Sequence, residues 1–489
     1  MPPIRFIHAA DLHLDAAFSG LSRDIPAEFA ERLRTATFTA FRRLLDLCER
    51  ESPDFLLLAG DVYNQEDASV SAQLALRDGF RRLESLSIPV FLVHGNHDPL
   101  ASRLRSVRWP GNVTVFGELP DAVPVFRKGE GTPLAIIHGA SHASGRETRN
   151  LAALFRRTEA CGLHVGLLHA TPGDADGVAR YAPFSQGDLK ASGMDYWALG
   201  HIHDRREVCR EPLAAYPGCT QGLHINEPGE KGCLLVTAEA RPDGGYAVRT
   251  SFRPLGPAVW KTLDMDLGGA ASLDELENRL RTGLDRAAAE VWSGCEMLLV
   301  RLRLQGRTEL DGLLRKGTTC AELADRLRED GSGVPRIWIK DIDVATRPCV
   351  ERGALLERED LLGEVFRLSD AVLQGNYDGA ARILGDLLKM QTEPIMILAA
   401  LGSQLRRIYT ARMAIDSGKD KYWLMELWEM KSDYPAKLLL SAAKKTTAAW
   451  CADAVQMCQV LDRRMKSEKG VDAVGELKLL LVRLGAQRR

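Results

Sequence analysis

The sequence predicts a protein of the α/β class in three parts: a layered α/β sandwich over residues 1–254, a small α+β domain over 255–362 and an all-α C-terminal helical bundle over 363–489. Three observations predict this arrangement. Apolar runs alternate with helical patterns in the first part, strand-like runs and helices mix in the second, and strand patterns vanish after about residue 361. A chain of 489 residues is also too long for one hydrophobic core.

The first part opens with alternating strand and helix patterns: "IRFIHAAD", "FAERLRTATFTAFRRLLDLCERE", "DFLLLAGD", "SAQLALRDGFRRLESL" and "PVFLVHGN". Apolar runs bounded by Gly, Asp and Asn are typical of strands buried on both faces. A second series predicts more strands with shorter connections: "PLAIIHGAS", "HVGLLHAT", "YWALGHIH", "LAAYPGC" and "GCLLVTAEA". We interpret the Pro- and Gly-rich "RPDGGYAVRTSFRPLGPAVW" as the change to the next unit.

The middle part contains two helix patterns, "SLDELENRLRTGLDRAAAE" and "CAELADRL", and two strand-like runs, "EMLLVRLRL" and "RIWIKDIDV". The last part is a succession of amphipathic helices, interrupted at "QGNYDG", "TEP", "DSGKD" and "KSDYP". No internal repeat is evident, so a solenoid is not expected.

Composition and charge indicate the cellular compartment and the need for a cation at any phosphate-binding site. The ten cysteines form no C-x-x-C pair, which disfavours structural zinc and disulfides and favours a reducing cytoplasm. The first residues do not resemble a signal peptide, and no long uncharged apolar run predicts a membrane span. Residues 363–489 carry 20 basic against 15 acidic side chains, whereas the rest carries 44 against 51. An acidic first part that handles phosphates needs metal ions or a basic partner.

Polar residues with metal-binding side chains follow several of the predicted strands. They are Asp11 and His13, then Asp61, then Asn96, His97 and Asp98, then His169, and finally His201 and His203. Ligand sites in open α/β sheets lie beyond the carboxyl ends of strands, so these groups can converge. Mixed imidazole and oxygen ligands suit manganese, iron or zinc better than magnesium or calcium, and two such ions can activate water beside a phosphate.

Each segment also has a simpler interpretation. A lone D-x-H is more often a turn residue with a hydrogen-bonded histidine. Asn-His-Asp after an apolar strand is costly if buried without partners, and His201 and His203 share one face of a strand, so the ordered set favours a metal site. The other histidines lack this pattern and are expected in the core or at the surface: His8, His94, His138, His142, His164 and His224.

The ordered set D-x-H, G-D, G-N-H-D, H and G-H-x-H resembles the signature of the calcineurin-like metallophosphoesterase superfamily over about residues 1–240. The resemblance implies two divalent metal ions, with manganese expected and iron or zinc as alternatives. It implies that His97 is the acid that stabilises the phosphorane and protonates the leaving oxygen, that Asp98 orients it, and that water is the nucleophile. The implied ligands are Asp11, His13, Asp61 and His203 on the first ion, and Asp61, Asn96, His169 and His201 on the second.

The segments "HAADLHLD", "LLLAGDVYN", "VHGNHDP", "LGHIH" and "YPGCTQG…NEPGEKG" are most similar to bacterial DNA repair exonucleases of the SbcD and YhaO type. That resemblance implies 3′ to 5′ exonuclease activity with some single-strand endonuclease activity. It also implies that residues 255–350 are a capping domain and that "ERGALLEREDLLGEV" corresponds to the end of the catalytic chain in these nucleases. It also implies a coiled-coil SMC-like ATPase partner, which must be another polypeptide because no phosphate-binding loop motif occurs here. Some relatives have a histidine where Asn64 stands, so a DNA-orienting role is not assigned to it.

Residues from about 363 to 489 resemble the C-terminal collar domain of the DNA polymerase III delta subunit. This implies an assembly surface that forms a homodimer or binds clamp-loader subunits; the alternative is an accidental join of two reading frames. Other functions stay open. They are a phosphoesterase acting on cyclic nucleotides, nucleotides or phosphoproteins, a clamp-loader-associated assembly protein, and a scaffold with an inactive metal site.

Overall fold

The chain divides into two compact units, Met1–Pro348 and Cys349–Arg489, in a computed structural model. The model describes residues 2–21, 25–64, 69–102, 107–173, 180–242, 244–329, 333–349, 361–390, 392–428, 433–468 and 470–486. The first unit contains the sheets, and the second is helical where it is described. The predicted fold class is confirmed. The division of the first unit at residue 254 stays a prediction.

The first sheet places three strands that precede site residues side by side. Its order is β12-β11-β1-β2-β3-β4, with β1 (Ile4–Ala9), β2 (Phe55–Ala59), β3 (Val90–Val93), β4 (Val113–Val115), β11 (Gly232–Ala240) and β12 (Tyr246–Pro254). Strands β1 to β4 are parallel, whereas β11 and β12 extend the sheet antiparallel. The carboxyl ends of β1, β2 and β3 therefore lie along one edge.

The second sheet packs face to face on the first. Its order is β5-β6-β7-β8-β10-β9, with β5 (Asp121–Val125), β6 (Ala135–Ala140), β7 (Leu163–His169), β8 (Tyr196–Gly200), β9 (Arg206–Arg210) and β10 (Leu213–Tyr216). Strands β6, β7, β8 and β10 are parallel, with antiparallel strands at both edges. One buried cluster contains Phe6, Phe55 and Phe91 from the first sheet together with Val165 and Tyr196 from the second. The two sheets thus share a single core.

Helices cover the outer faces of the two sheets. They are α2 (Ala36–Glu51) and α3 (Val70–Ser85) on the first sheet and α4 (Gln186–Ala191) on the second, whereas the buried residues of α1 (Ala27–Arg34) pack against the small domain that follows. Helices α2 and α3 pack their apolar faces, including the fully buried Leu44 and Phe80, on the first sheet. Ser69 caps α3 by accepting the N–H of Ala72, and a capping box starts α4 at Ser185. The result is the layered sandwich that the sequence predicts.

A small parallel sheet, in the order β13-β14-β16, follows the sandwich. Its elements are β13 (Ala258–Asp266), α5 (Leu273–Glu290), β14 (Met297–Gln305), β15 (Arg307–Thr308), α6 (Asp311–Leu314), α7 (Thr319–Glu329), β16 (Arg336–Val344) and β17 (Arg347–Pro348). Helices α5 and α7 share one buried cluster with the sheet. Trp260 and Trp338 lie in another cluster, with Phe29 and Leu33 of α1 and with Ile225. This small domain therefore packs directly against the sandwich.

The segment interpreted as a change of unit contains a strand of the first sheet. Tyr246–Pro254 forms β12 and pairs with β11 along its length. As an edge strand, β12 has half-buried and exposed side chains and no continuous apolar run. Strands β4, β5 and β9 were not predicted either, because short strands with exposed faces carry a weak apolar signal.

The described part of the second unit is helical, with its own core around Leu384, Leu401, Leu405, Trp450 and Leu481. Its helices are α8 (Leu361–Gln374), α9 (Tyr377–Lys389), α10 (Pro394–Asp416), α11 (Lys421–Leu427), α12 (Asp433–Lys444), α13 (Ala448–Ser467) and α14 (Ala473–Ala486). The predicted breaks at "QGNYDG", "TEP" and "DSGKD" fall between helices. The start of "KSDYP" and most of "ERGALLEREDLLGEV" lie outside the described residues. Of the helices described, none combines the length and apolar composition needed to cross a membrane.

Candidate metal centre

The strand ends bring the predicted ligands from both sheets to one place. Asp11 follows β1, Asp61 follows β2, Asn96 follows β3, His169 ends β7 and His201 follows β8. Two groups result, each with candidate ligand atoms within 4.8 Å of one another: Asp11 with His13 and His203, and Asp61 with His169 and His201. Residues almost 200 positions apart therefore meet at the shared edge of the two sheets.

The first group centres on two imidazole nitrogens. Nε2 of His13 lies 3.1 Å from Nε2 of His203, which in turn lies 3.9 Å from Oδ1 of Asp11. The Asp11 carboxylate is buried and accepts the backbone N–H of His201 at 3.1 and 3.2 Å. The first group is thus joined to the second through the backbone of His201.

The second group centres on the side-chain oxygen of Asn96. Oδ1 of Asn96 lies 3.1 Å from Nε2 of His169 and 3.1 Å from Nδ1 of His201. Nε2 of His169 also lies 3.3 Å from Oδ2 of Asp61, and Nδ1 of His169 donates to the carbonyl of Ala59 at 2.9 Å. Nε2 is therefore the nitrogen that His169 presents to Asp61 and Asn96.

The backbone at the site adopts conformations that side chains ordinarily avoid. Asp11, His13, Asp61 and His201 have φ values of 51°, 41°, 48° and 104°. Such conformations cost about 1–3 kcal/mol each and persist where the surrounding structure enforces them. Gly200 is required for close packing, since a Cβ there would lie 1.8 Å from the carbonyl oxygen of Ala59. Strain concentrated on four predicted ligands indicates a functional site.

The site concentrates buried ionisable groups with divergent pKa values. Burial raises the pKa of Asp11 to about 6, although His169 and His203 act to lower it. Burial lowers the pKa of His13 to about 3. Burial alone would raise the pKa of Asp61. The attraction of His169 and its hydrogen bond with Asp61 outweigh burial and hold this pKa well below its ordinary value. The same pairing outweighs burial at His169 and raises its pKa to about 9.

The donor set fits two divalent ions. Both groups offer imidazole nitrogens and carboxylate oxygens, and Asn96 adds an amide oxygen. Nδ1 of His13 is buried without a hydrogen-bond partner. Nearby cations would favour the ionised form of Asp11, which burial alone disfavours. This mixture of donors suits manganese, iron or zinc better than magnesium or calcium.

His97 and Asp98 differ in their surroundings. The exposed His97 ring lies 5.1 Å from the ring of His13, and its Nδ1 contacts the carbonyl oxygen of Asn64 at 2.9 Å. The Asp98 carboxylate is fully buried and accepts the backbone N–H groups of Gly95 at 2.7 Å and Val62 at 3.0 Å. Asp98 therefore joins the segments that carry Asp61 and Asn96, and the hydrogen-bond partner of the His97 ring is a backbone carbonyl.

Residues without a predicted role also contact the ligands. Nδ1 of His203 lies 2.6 Å from Oε1 of Glu227, and Nζ of Lys231 donates to the His203 carbonyl at 3.0 Å. His142 lies behind His169, with its Nε2 2.6 Å from the His169 carbonyl oxygen. Glu227 and Lys231 belong to the "NEPGEKG" segment, whose pattern gave no role to either residue.

The remaining histidines away from the ligands have structural surroundings. His8 is buried, with Nδ1 2.9 Å from the Tyr196 hydroxyl and Nε2 3.2 Å from the Leu199 carbonyl oxygen. His138 and His164 are buried and contact each other, with Nε2 of the first 3.0 Å from Nδ1 of the second. These contacts agree with the expectation that they belong to the core.

Family models match three stretches of the chain. The calcineurin-like phosphoesterase model matches residues 4–205, the middle domain of metallophosphoesterase YhaO matches 260–347, and the C-terminal domain of the DNA polymerase III delta subunit matches 363–484. A solved structure of the Bacillus subtilis DNA clamp loader delta protein YqeN is 14% identical, with a TM-score of 0.27, covering 46% of this chain and 85% of that one. The predicted resemblances to these families are confirmed.

Two relatives match more than half of the chain. The uncharacterized metallophosphoesterase YhaO of Bacillus subtilis is 36% identical over an alignment of 348 residues that covers 70% of this chain and 82% of YhaO. The DNA double-strand break repair protein Mre11 of Aeropyrum pernix is 28% identical over an alignment of 320 residues that covers 60% of this chain and 69% of that protein. Calcineurin-like metallophosphoesterases use a dinuclear divalent metal centre. By its similarity to YhaO and its match to the family model, this chain belongs to the calcineurin-like metallophosphoesterase family, whose members are phosphoester hydrolases.

Proposed function

We propose that the protein is a metal-dependent DNA exonuclease that cleaves 3′ to 5′ and also cuts single strands internally. The observation that carries the proposal is the convergence of two candidate ligand groups at the shared sheet edge. The proposed ligands are those predicted from the sequence: Asp11, His13 and His203 on one ion, Asn96, His169 and His201 on the other, and Asp61 on both. When bound, the two ions would polarise the phosphodiester and activate water.

The proposed acid is His97. Its Nδ1–H donates to the carbonyl oxygen of Asn64, so the imidazolium form of His97 would deliver the proton on Nε2 to the leaving oxygen and return to the neutral ring with its proton on Nδ1. The backbone N–H of His97 donates to Oδ1 of Asp61 at 2.9 Å, so the proposed acid and the shared ligand are held together. Asp98 would orient His97 through the backbone, because its carboxylate fixes the amides of Gly95 and Val62.

Two observations support DNA as the substrate. Several relatives carry the name DNA double-strand break repair protein Mre11, among them those of Aeropyrum pernix and Haloferax volcanii. The site is also open on one side, since the His97 side chain is exposed and His201 and His203 are only partly buried. A phosphodiester within a long polymer can approach such a site without entering a closed chamber.

We also propose two kinds of protein partner. A coiled-coil SMC-like ATPase would supply ATP-dependent gating from a separate polypeptide. The helical unit would provide an assembly surface, either for a homodimer or for clamp-loader subunits. Support comes from its match to the delta-subunit model and from exposed apolar side chains, which include Val460 on α13 and Val482 on α14. Molar mass in solution at several concentrations, alone and with purified clamp-loader subunits, tests this; a monomer that binds none of them contradicts it.

A substrate panel tests the catalytic proposal. The full chain with Mn²⁺ is offered linear duplex DNA, circular single-stranded DNA, cyclic nucleotides, mononucleotides, a phosphorylated protein and a chromogenic phosphodiester. We expect nucleotide release from the DNA duplex, cutting of the circle, and no turnover by Asp61→Ala. Hydrolysis of nucleotides or of the phosphorylated protein, while the DNA stays intact, would contradict the nuclease proposal and favour the alternative phosphoesterase. Absence of turnover on every substrate would favour the scaffold.

A further inference from the structure

A single loop holds the proposed ligand His203 at both its side chain and its backbone. The loop spans residues 219–231 and follows β10. Oε1 of Glu227 lies 2.6 Å from Nδ1 of His203. The carbonyl oxygen of His203 accepts from Nζ of Lys231 at 3.0 Å and from the backbone N–H of Cys219 at 3.3 Å. The position of this ligand is therefore set by a segment outside the family signature.

The hydrogen bond with Glu227 fixes which nitrogen of His203 carries the proton. An ionised carboxylate can only accept, so Nδ1 of His203 must be the donor. In the neutral ring the lone pair is then on Nε2, and this is the atom that faces Nε2 of His13 and Oδ1 of Asp11.

The position of Glu227 is itself fixed by the loop. Its second oxygen, Oε2, accepts the backbone N–H of Leu223 at 2.6 Å. The loop is anchored to the small domain through Trp260, whose Nε1 donates to the carbonyl of Gly222 at 3.1 Å and whose carbonyl accepts the N–H of Gly229 at 2.8 Å. Glu227 therefore meets His203 from a preformed loop and not from a freely moving side chain.

A comparison with His169 shows what Glu227 contributes. His169 presents Nε2 to its group because its Nδ1 bonds a backbone carbonyl, that of Ala59. Glu227 performs the same task for His203 with a side chain. We propose that Glu227 is a positioning residue that holds His203 in the tautomer and orientation needed to bind the metal ion of the first group. This inference rests on the metal centre proposed above.

The substitution Glu227→Gln removes one of the two acceptor oxygens of the Glu227 side chain. Leu223 and His203 both require an acceptor, but a glutamine side chain offers one acceptor and one donor. A glutamine at position 227 therefore either loses one of these two hydrogen bonds or donates from its NH₂ to Nδ1 of His203. In the second case Nδ1 is the acceptor, and the ring proton of His203 must lie on Nε2. Carboxylate partners of metal-bound histidines are worth about 10–100-fold in metal affinity. We expect a loss of about that size for one ion.

The matched control is Glu230→Gln in the same loop. The Glu230 side chain is exposed, accepts the N–H of Trp292 at 2.9 Å and is not part of either ligand group. Co²⁺ binding to the full chain is followed by calorimetry and by the visible cobalt spectrum, with thermal unfolding of each metal-free variant. We expect the wild type and Glu230→Gln to bind two equivalents of Co²⁺ alike. In Glu227→Gln, we expect one of the two equivalents to bind more weakly and the cobalt spectrum to change. In a His203→Ala background, Glu227→Gln should change Co²⁺ binding no further.

The outcomes are distinguishable. Unchanged binding of both equivalents by Glu227→Gln, equal weakening of both, or additive loss in the His203→Ala background would overturn the inference. So would unfolding of metal-free Glu227→Gln where Glu230→Gln stays folded, because the carboxylate would then serve the loop's fold. A third equivalent whose thiolate-to-cobalt band disappears in Cys219→Ser would place an ion among His203, Cys219 and Glu227, and would also overturn it. A wild type that binds no Co²⁺ contradicts the metal centre itself.

Discussion

Replacing Gly95 by alanine should disable the site through one added methyl group. A Cβ at this position would lie 2.2 Å from Oδ1 of Asp61 and 2.8 Å from Nε2 of His169, and real Cβ atoms essentially never approach closer than 3.0 Å. The Asp61 oxygen must therefore retreat by about 0.8 Å, and the imidazole must move as well. Misplacement of catalytic groups by about 1 Å can cost about 10²-fold in rate. Gly95 does not have a positive φ, so the effect is steric.

The control for this substitution is Gly117→Ala, because a Cβ there would meet no atom within 4 Å. Hydrolysis of a chromogenic phosphodiester and the number of bound Mn²⁺ ions are measured for both variants and the wild type. We expect Gly117→Ala to match the wild type, and Gly95→Ala to lose about 10²-fold in kcat/KM and to bind Mn²⁺ more weakly. Equal activity of the two variants would refute the placement of Asp61 and His169 at the reacting centre.

Three further predictions concern Asp61, His97 and the buried His8. Asp61→Ala should abolish hydrolysis and weaken both ions, as metal analysis would show; retained activity would contradict the shared-ligand assignment. His97→Ala should keep both ions but lose about 10²-fold or more in kcat, and loss of metal would contradict its role as acid. Burial lowers the pKa of His8 from 6.5 to about 3, so stability is lost as pH falls from 6.5 toward 3, by roughly 2–3 kcal/mol at pH 4.5. In EDTA, urea unfolding of His8→Gln at pH 7 and 4.5 should show a smaller loss than the wild type; equal losses would contradict this.

The sequence predicts the buried strands of the sandwich better than its edges. Strands β1, β2, β3, β7 and β8 are covered on both faces, so each appears as a continuous apolar run. Edge strand β12 keeps an exposed face and was interpreted as a connection. Pairing with β11 defines β12, and that pairing is a tertiary contact that local composition does not encode.

The candidate ligands could be identified because each one follows or ends a strand. The strand ends place them together without further information, which makes their convergence a consequence of sheet topology. Glu227 could not be identified in this way. It lies on a loop and acts through a hydrogen bond to a residue 24 positions away. The group that contacts His97 is the backbone carbonyl of Asn64. Every residue has such a carbonyl, so the residue type could not predict this contact.

The most direct test of the dinuclear centre is anomalous diffraction from crystals of the full chain grown with Mn²⁺. We expect two anomalous peaks, one among Asp11, His13 and His203 and one among Asn96, His169 and His201, with the Asp61 carboxylate between them. A single peak, or peaks outside these two groups, would contradict it.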